Sequence, residues 1–412
     1  MAKIVILGLG AAGFGAALAA KKQDREAKIT IIDNKDFDLM HQCGLPFALE
    51  GKIKSFSSLK HSISADKMGI NLVKGNVDKI DFDKKIVYCG EAVNYDKLII
   101  SVGSKPIVPP IETENSIFTV HNIDDTKKLA GKIGKGKAIV IGAGAVGLET
   151  AVALKKKGMD VTVMDMLDSC FPKSIDKDMS SIIEEKLKEK GIKLELGKKI
   201  DSIDEKAIVV MATGVKPNVE FSGIKLGKFG VEVNSKMETS VKDVYAAGDC
   251  CCVKSLIDGK DWPSMLANNA YREGVIAGAN AAGGNKKFNG ILGTFVSVID
   301  DIDVAATGFN SFFAEKSGIK VVVGKVKGKN RPEWYGPSGE LIVKIISDSK
   351  GKVIGGQAIG EGAKERINII STAIKGGFTL KDISELELAY CPAVSDYYDV
   401  LVMAAEIGLR KI

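Results

Sequence analysis

The segment Lys3–Gly13, KIVILGLGAAG, decides the fold of the first part of the chain. It predicts a short β-branched strand that ends in a G-x-G-x-x-G turn, followed by an alanine-rich helix at about Ala12–Lys22. A second strand, Ile29–Ile32, ends on Asp33. This is the order of elements that a dinucleotide-binding βαβ unit requires. The glycines would let the backbone approach a pyrophosphate, and the acid would accept ribose hydroxyls.

The same pattern occurs a second time. Lys137–Ile141 predicts a strand, Gly142–Gly147 a glycine turn and Leu148–Lys157 a helix. Val161–Met164 predicts the next strand, which ends on Asp165. Two complete units in one chain predict two dinucleotides. Because the carboxylate of Asp165 would repel a 2′-phosphate, NADH is favoured over NADPH here.

Similar segments follow the two units. Leu98–Pro106, LIISVGSKP, and Val209–Pro217, VVMATGVKP, each predict a buried strand that runs into a glycine-marked turn and a proline. Val244–Asp249, VYAAGD, predicts an apolar strand, and a helix follows at about Met265–Ala282. The acid after this strand would bind a ribitol hydroxyl, and the N-terminus of the helix would stabilise negative charge on a reduced flavin.

The pattern changes from about Phe288, where strands alternate with glycine turns and no nucleotide fingerprint occurs. The predicted strands and helices are Val304–Ala306, Lys320–Val326, Glu340–Ser347, Val353–Ile359, Ala363–Lys375 and Leu380–Leu386. They indicate an α+β domain whose simplest role is dimerisation. The fold class is therefore α/β, with two Rossmann-like dinucleotide-binding domains and a C-terminal α+β dimerisation domain.

Composition sets limits on the class of protein. The 412 residues carry a net charge of +6, but lysines and acidic residues are interleaved, which predicts a mildly basic surface without a nucleic-acid partner. No apolar run reaches the roughly 18 residues of a membrane helix, and the immediate N-terminal strand argues against a signal peptide. Seven cysteines without a CxxC pair or zinc spacing predict no metal site and reduced thiols in the cytoplasm.

One cysteine, Cys43, follows the first unit in the segment His41–Pro46, HQCGLP. The two fingerprints, the SVG and ATG turns, the AAGD element and this cysteine together resemble the FAD- and NAD(P)H-dependent pyridine nucleotide–disulfide oxidoreductases. A single cysteine in C-G-L-P-F is similar to the branch with coenzyme A-disulfide reductase, CoA-dependent persulfide and polysulfide reductases, NADH oxidase and NADH peroxidase. The resemblance covers essentially the whole chain, including Leu386–Pro392, which is similar to the Tyr-Ala-Pro-Pro segment of that branch.

The resemblance implies the residues that hold each cofactor. FAD would contact Gly8, Gly10, Ala11, Ala12, Gly13, Asp33, Asn34, Ser101, Gly103, Gly248 and Asp249. NADH, or NADPH, would contact Gly142, Gly144, Val146, Gly147, Asp165 and Gly214. The corresponding domains are residues 1–110 and 243–285 for FAD, 111–242 for NAD(P)H and 286–412 for dimerisation.

The resemblance also implies that electrons pass from NADH through the flavin to sulfur at Cys43. A working thiol must be a thiolate, and a helix at about Pro46–Glu50 would lower its pKa; the alternative is a buried, inert cysteine. Tyr390 of the partner subunit would donate a hydrogen bond to this thiol in a homodimer. His41 would tune the thiol or act as an acid, or else be a surface or packing residue.

The sequence departs from the branch at several positions. Ala11 or Ala12 stands where NADH peroxidase-like relatives have a histidine, which argues against peroxide chemistry. Lys21 and Lys22 end the first helix, and Gln42 stands where coenzyme A-disulfide reductase-like relatives have an asparagine. The resemblance implies that Lys22 and Gln42 bind coenzyme A; the alternative is that the lysines form a solvated helix end. Three further cysteines are read either as sulfur-handling residues or as small packing residues: Cys251, Cys252 and Cys391.

The segment Ile192–Gly214 is shorter than in relatives, which predicts a trimmed NAD(P)H domain. The favoured function is an NADH-dependent reductase of coenzyme A disulfide, CoA persulfide or polysulfide, with a small-molecule thiol or disulfide as substrate. An NADH oxidase that reduces O2 to water or H2O2 is the first alternative. An electron-transfer reductase for a small iron–sulfur protein, against which Cys43 argues, and a redox-silent binding protein are the others.

Overall fold

The computed structural model of the chain describes residues 1–35 and 38–412. The α-helices in these residues are α1 (Ala11–Gln23), α2 (Leu45–Glu50), α3 (Ala65–Met68), α4 (Ile123–Ala130), α5 (Ala145–Lys156), α6 (Lys177–Glu189), α7 (Ala267–Ala281), α8 (Ser311–Lys316), α9 (Ala363–Gly376), α10 (Leu380–Ser384) and α11 (Val400–Leu409). Short 3-10 helices lie at Gln42–Gly44, Phe56–Leu59 and Glu333–Tyr335.

The strands of the N-terminal part are β1 (Lys3–Leu7), β2 (Lys28–Asp33), β3 (Asp38–Met40), β4 (Lys60–Ser62), β5 (Ile70–Lys74), β6 (Lys79–Asp81), β7 (Ile86–Tyr88), β8 (Ala92–Asn94), β9 (Lys97–Ile100) and β10 (Ser104–Pro106). The central strands are β11 (Ile117–Thr119), β12 (Lys137–Ile141), β13 (Asp160–Asp165), β14 (Lys193–Leu196), β15 (Ile208–Met211) and β16 (Val215–Pro217). The remaining strands are β17 (Leu226–Gly227), β18 (Gly230–Glu232), β19 (Val244–Ala246), β20 (Cys251–Lys254), β21 (Asp261–Pro263), β22 (Phe295–Ile299), β23 (Ile302–Gly308), β24 (Val321–Lys329), β25 (Glu340–Asp348) and β26 (Val353–Gly360).

The chain forms two compact units, and the first contains Met1–Ala48, Ile53–Ile107 and Gly214–Ile291. Its main sheet is parallel and has the strand order β19-β9-β1-β2-β5. The strands β1, β9 and β19 are apolar and almost wholly buried, as expected where a parallel sheet is covered on both faces, whereas the edge strand β5 is partly exposed. Smaller sheets, β6-β7-β8, β17-β18-β20-β21 and the pairs β10-β16 and β3-β4, complete this unit.

Helices α1 and α7 pack closely in the first unit because small residues line their contact. A Cβ atom on Gly274 would lie 2.0 Å from the backbone oxygen of Ala12, and one on Gly278 would lie 2.0 Å from that of Ala16. Real side chains cannot approach backbone so closely, so the two glycines are required by the packing. The C-terminal half of this unit thereby fixes the helix that follows the first glycine turn.

The second unit contains Leu49–Lys52, Val108–Thr213 and Leu292–Ile412. It holds a parallel sheet of order β11-β15-β12-β13-β14 and an antiparallel sheet of order β22-β23-β26-β25-β24. Helix α9 packs on β26 and β23, and α11 packs on β24 and β25. A salt bridge between the buried Lys344 of β25 and Asp176, which precedes α6, joins the two parts of this unit at 2.8 Å.

The predicted architecture is confirmed, with element ends that shift by one to three residues. The parallel sheet of the second unit has five strands. Residues 197–207, in the segment that is predicted to be shortened, form only a short connection that leads into β15. Sequence patterns did not predict the strand β22 or the helices α6 and α11.

The packing divides the chain at different residues from the predicted domains. The NAD(P)H domain was predicted to extend to residue 242, whereas residues 214–242 lie in the first compact unit. The physical reason is strand pairing, since β16 pairs with β10 and β18 pairs with β20. The predicted NAD(P)H and dimerisation domains likewise share the second unit.

Candidate active site

The first glycine turn is built by close backbone contacts. Gly8 has φ of +92°, and a Cβ atom there would lie 2.5 Å from the backbone oxygen of Ser101. A Cβ atom on Gly13 would lie 2.0 Å from the oxygen of Gly8. At Gly10, in contrast, nothing lies within 4 Å of an added Cβ atom. The outer two glycines are therefore required by the fold, and the middle one leaves an open cradle.

The acid at the end of β2 also holds this turn. Asp33 accepts hydrogen bonds from the backbone N–H groups of Leu9, at 2.6 Å, and Lys35, at 3.0 Å. The neighbouring Asn34 donates from Nδ2 to Oδ1 of Asn76 at 2.8 Å. The carboxylate of Asp33 is thus oriented by the backbone of the turn, and sequence reasoning had assigned it only the ribose.

The segments that follow β9 and β19 lie next to this turn. The buried Ser101 donates from Oγ to the backbone oxygen of Leu7 at 2.8 Å. Ser104 donates from Oγ to Oδ2 of Asp249 at 2.9 Å, and the oxygen of Gly103 accepts from the N–H group of Asn218 at 2.9 Å. The structure therefore brings together the predicted residues of the SVG turn and of the Gly-Asp element.

A buried carboxyl group that the sequence analysis missed lies behind the Gly-Asp element. Glu273 of α7 has no exposed surface, and its carboxyl accepts from the N–H group of Gly248 at 2.8 Å and is hydrogen-bonded to the Ser264 hydroxyl. Burial raises the pKa of Glu273 to about 8, although both hydrogen bonds lower it. Its charge state therefore changes close to physiological pH.

The predicted nucleophile lies at the surface of the first unit. Cys43 is exposed in the 3-10 turn Gln42–Gly44, immediately before α2. A Cβ atom on Gly44 would lie 2.3 Å from Cδ2 of Leu59, so a larger residue after the cysteine would have to displace the Leu59 side chain. This turn presents the thiol at the start of a helix, as the sequence predicted.

The residues around the thiol are polar and accessible. His41 is exposed, and its backbone N–H group donates to the backbone oxygen of Leu59 at 2.9 Å. Its ring lies edge-on to that of His61, with centroids 6.4 Å apart. Gln42 and Lys22 are also exposed. The side chain of Lys21 donates from Nζ to the backbone oxygen of Ala27 at 2.8 Å, so this neighbour of Lys22 has a structural role.

The other cysteines divide by burial. All seven lie among the described residues and are not joined by disulfides, and five of them are buried: Cys89, Cys170, Cys250, Cys251 and Cys252. Burial raises the pKa of Cys170 to about 12 and also raises that of Cys251. Thiolate formation is unfavourable in such surroundings, which favours the packing interpretation of Cys251 and Cys252. Cys391 is exposed, but it belongs to the second unit.

The second glycine turn repeats the first. Cβ atoms on Gly142 and Gly147 would lie 2.2 Å from the oxygen of Ala212 and 1.9 Å from that of Gly142, whereas nothing lies within 4 Å at Gly144. Asp165 accepts from the N–H group of Ala143 at 2.8 Å. Of the other predicted NAD(P)H residues, Val146 is exposed on α5, whereas Gly214 lies in the first unit, where its oxygen accepts from Ile107.

A second carboxyl group missed by the sequence analysis lies on the helix after this turn. Glu149 of α5 accepts a hydrogen bond of 2.6 Å from the hydroxyl of Ser297 on β22. Burial raises the pKa of Glu149 to about 7, opposed by the hydrogen bonds from Ser297 and the backbone of Val298. The detectable sequence signal was a single acid within the apolar run Val146–Leu154, whereas Glu273 directly follows Arg272 in a more polar helix and gives no such signal.

The predicted tyrosine lies in the second unit, whereas Cys43 lies in the first. Tyr390 is exposed, and its ring lies edge-on to that of Tyr397 with centroids 6.1 Å apart. The segment after it is held by Arg331, which donates from Nη1 to the oxygen of Ala393 at 3.0 Å. A single chain therefore supplies the two residues from separate compact units.

Two further properties concern the chain as a whole. Within residues 1–35 and 38–412, no group of three or more histidine, cysteine or acidic side chains is arranged to hold a metal ion. None of the helices in these residues combines the length and apolar character needed to cross a membrane.

Comparison with known proteins identifies the family of the chain. Residues 2–274 match the family model of the pyridine nucleotide-disulphide oxidoreductases, and residues 295–400 match the dimerisation domain of that family. The chain is 34% identical over 444 residues to an NADH oxidase of Methanocaldococcus jannaschii, covering 100% of this chain and 99% of that protein. It is 31% identical over 436 residues to a CoA-dependent NAD(P)H sulfur oxidoreductase of Pyrococcus furiosus, covering 98% of each.

A solved structure has the same fold over nearly the whole chain. It is that of a NAD-dependent persulfide reductase from A. fulgidus, which superposes with a TM-score of 0.94 at 30% identity. The superposition covers 99% of this chain and 83% of the other. The fold of this chain therefore also occurs in a protein described as a persulfide reductase.

Proposed function

The chain belongs to the pyridine nucleotide-disulphide oxidoreductases, and from this premise we propose that it reduces a sulfur substrate with Cys43 as its nucleophile. As a member of this family it is an oxidoreductase that uses FAD and NAD(P)H. The observation that carries the proposal is the exposure of Cys43, because the other cysteines of the first unit are buried. A nucleophilic thiol must be accessible to its substrate.

The first unit fits FAD. The open backbone at Gly10 can receive a pyrophosphate, and Asp33 is oriented for the ribose. In the first turn of α7, the Nδ2 atom of the buried Asn269 has no hydrogen-bond partner among the described residues. An unsatisfied buried donor is costly unless a ligand accepts its hydrogen bond. Asn269 and Asp249 would therefore hold FAD together with the turn.

The second unit fits a nicotinamide nucleotide. The backbone at Gly144 is open, and Asp165 is oriented by Ala143 in the way that Asp33 is oriented by Leu9. The carboxylate of Asp165 favours NADH, since it would repel the 2′-phosphate of NADPH. Bound together, the two cofactors supply two electrons to the thiol site.

The chemistry at sulfur follows from the thiolate of Cys43. Its Sγ atom attacks one sulfur of the substrate, an S–S bond forms to Cys43, and the substrate S–S bond breaks to release a thiolate or a hydrosulfide. Two electrons and a proton then return Cys43 to the thiol form and release the second sulfur product. The exposed His41 and Gln42 border this thiol and would orient the substrate.

The substrate and assembly are part of the same proposal. The relatives of Pyrococcus furiosus and A. fulgidus are named for sulfur and persulfide reduction, which supports a CoA disulfide, CoA persulfide or polysulfide here. Lys22 offers an exposed cation to the phosphates of coenzyme A. The C-terminal match to a dimerisation domain supports a homodimer in which Tyr390 of the partner subunit reaches the thiol. Reduced cysteines support a cytoplasmic enzyme.

The substitution Cys43→Ser tests the nucleophile. We expect the variant to bind FAD and to bleach the flavin band with NADH, but to release thiol from CoA disulfide at least about 100-fold more slowly. Cys391→Ser, which alters the other exposed cysteine, is the control and should retain full activity. Unchanged thiol release by Cys43→Ser would show that another group is the nucleophile.

A second function, NADH oxidation by oxygen, is supported by the relative of Methanocaldococcus jannaschii, which is named NADH oxidase. The two functions separate in one assay, in which oxygen uptake and thiol release are followed with NADH and CoA disulfide present. Rapid oxygen uptake without thiol release would favour the oxidase and reject the sulfur reductase.

A further inference from the structure

We propose that Glu273 is a positioning residue that binds one proton when the FAD cradle gains negative charge, and so couples reduction of the enzyme to pH. The carboxyl group lies between the N–H group of Gly248 and the hydroxyl of Ser264, and it has no exposed surface. Gly248 precedes Asp249, one of the residues proposed to hold FAD. The backbone at Gly248–Asp249 forms one side of this FAD cradle, and Glu273 holds it from within the protein.

The cradle cannot easily move away from this carboxyl group. Gly248 has φ of +84°, and a Cβ atom there would lie 3.0 Å from that of Ala12. The glycine after Glu273 packs directly on the backbone of Ala12, so α7 is fixed against α1. The hydrogen bond of 2.8 Å between Glu273 and Gly248 is consequently held at both ends. A change in the charge of Glu273 must be felt at the cradle.

The ionisable groups that face Glu273 do not form an ion pair with it. Asp249 raises its pKa, Arg272 lowers it and burial outweighs both. From β20, the buried thiol of Cys251 interacts with the same carboxyl group. From β19, the hydroxyl of Tyr245 donates to the oxygen of Asn280 at 3.4 Å, and the backbone of the small residues Ala12 and Ala16 of α1 lies against Gly274 and Gly278 of α7. No cation therefore fixes the charge of this carboxyl group among the described residues that face it.

The consequence is proton uptake. A carboxyl group buried without a cation is held neutral mainly by desolvation, and any negative charge added nearby strengthens its hold on the proton. Asp249 already has this effect. Reduction of bound FAD would add negative charge to the flavin, and an ionised Glu273 would then take up one proton from solvent. The uptake occurs above the pKa of about 8 that Glu273 has beforehand, because below that value the proton is already present.

Proton uptake by Glu273 can be measured through the pH dependence of the midpoint potential of bound FAD. One extra proton bound per two electrons makes the equilibrium constant of reduction tenfold less favourable for each pH unit. For a two-electron couple this corresponds to about 30 mV. The midpoint potential of the bound FAD should therefore fall up to about 30 mV per pH unit more steeply above pH 8 than below it.

Glu273→Gln is the decisive variant, because glutamine can accept from Gly248 and donate to Ser264 but cannot titrate. The midpoint potential of the FAD-loaded enzyme is measured spectroscopically from about pH 6 to 9.5, without a sulfur substrate. We expect the additional slope in the wild-type protein and its loss in the variant. Glu26→Gln, an exposed carboxylate of the same unit, should retain it. Parallel plots for wild type and Glu273→Gln would overturn the proposal.

A second variant keeps the test open if Glu273→Gln fails to retain FAD. Ser264→Ala removes a hydrogen bond that lowers the pKa of Glu273, so the steeper part of the plot should move to higher pH. A plot that does not move would contradict the proposed coupling. A merely structural role of Glu273 would change FAD affinity but not this pH dependence. Since no disulfide is used, the result is independent of the role of Cys43.

Discussion

The two glycine turns are nearly identical in their backbone, yet different parts of the chain complete them. In both, the first N–H group bonds to the neighbouring strand at 2.8 Å, and the acid after that strand accepts from the second residue of the turn. The first turn is closed by Ser101, whose hydroxyl bonds to Leu7, whereas the second is closed by Ala212, which has no such group. Local sequence therefore specifies the turn, and distant sequence specifies its surroundings.

The buried carboxyl groups show the same difference. Glu273 bonds to the backbone of the cradle that it supports, whereas Glu149 bonds to Ser297 on a strand of the antiparallel sheet. The first arrangement ties the charge to one nucleotide site. The second ties the helix of the NAD(P)H turn to the C-terminal part of its unit. The comparison predicts that the two turns fail independently when they are damaged.

The largest effect is expected from Gly147→Ala and Gly13→Ala. The new methyl group would lie 1.9 Å or 2.0 Å from a backbone oxygen, so each turn must shift by an ångström or more. Such a shift costs about 100-fold in a positioned reaction. Gly147→Ala should slow flavin reduction by NADH by about this factor while FAD stays bound, and Gly13→Ala should lose FAD. Absorbance of the flavin band measures both.

Two glycines with open surroundings provide the matched controls. Gly134→Ala, in the second unit, should have no effect, since nothing lies within 4 Å of the added methyl group. Gly10→Ala should leave thermal stability unchanged but weaken FAD binding, because the methyl group would occupy the space for the pyrophosphate. Loss of FAD in Gly147→Ala would show that the two turns are not independent.

An intermediate effect is expected from Glu149→Gln. The pKa of Glu149 rises from 4.5 to about 7 on folding, so the folded state binds more protons between these values and stability falls as pH rises through this interval. The glutamine variant should lose this pH dependence and be more stable than wild type above pH 7. Urea denaturation from about pH 5 to 8 measures the difference.

Ser297→Ala sharpens the same prediction. Removing the hydroxyl removes a hydrogen bond that lowers the pKa of Glu149, so the loss of stability should extend to higher pH. Identical pH profiles for wild type and Glu149→Gln would mean that Glu149 is not the titrating group.

The smallest effects are expected at two ion pairs, one at the N-terminal edge of each parallel sheet. Asp243 is partly buried between Lys85 and Lys97, whose hydrogen bonds lower its pKa to about 2, whereas Glu205 and Lys137 are exposed. Asp243→Asn should destabilise the protein by about 1 kcal/mol at pH 7, with the difference disappearing as pH falls towards 2. Asparagine tolerates the φ of +66° at this position, so backbone strain should not contribute.

Glu205→Gln is the matched substitution in the second unit. It should leave the free energy of unfolding nearly unchanged, because exposed pairs contribute little. Chemical denaturation at pH 7 and pH 3 measures both variants. An equal loss for the two would show that burial does not distinguish these sites.

The parts that sequence predicted well are those with local causes. The strand, turn and helix at Lys3–Gly13 depend on neighbouring residues, and the repeat at Gly142–Gly147 has the same explanation. The helix that follows Cys43 was also predicted, because Pro46 favours a first helical turn, whereas the exposure of the thiol is a finding of the structure. The roles of Cys43, His41 and Tyr390 in catalysis stay predictions.

The parts that sequence missed depend on contacts between distant segments. The boundary near residue 214 is set by the pairing of β16 with β10, and such pairing cannot be read from either strand alone. The burial of Glu149 depends on Ser297, 148 residues away. A single acid in an apolar helix indicates a buried carboxyl group, but its partner and its pKa come from the fold.

The sequence by itself determined two dinucleotide turns, a cysteine just before a short helix and a C-terminal α+β domain, because short-range backbone chemistry dictates each. Only the tertiary structure decided that Glu273 lies beneath Gly248 and that Asp33 and Asp165 orient their own turns. Desolvation and hydrogen bonding set the charge of a carboxyl group, and both depend on which segments meet around it.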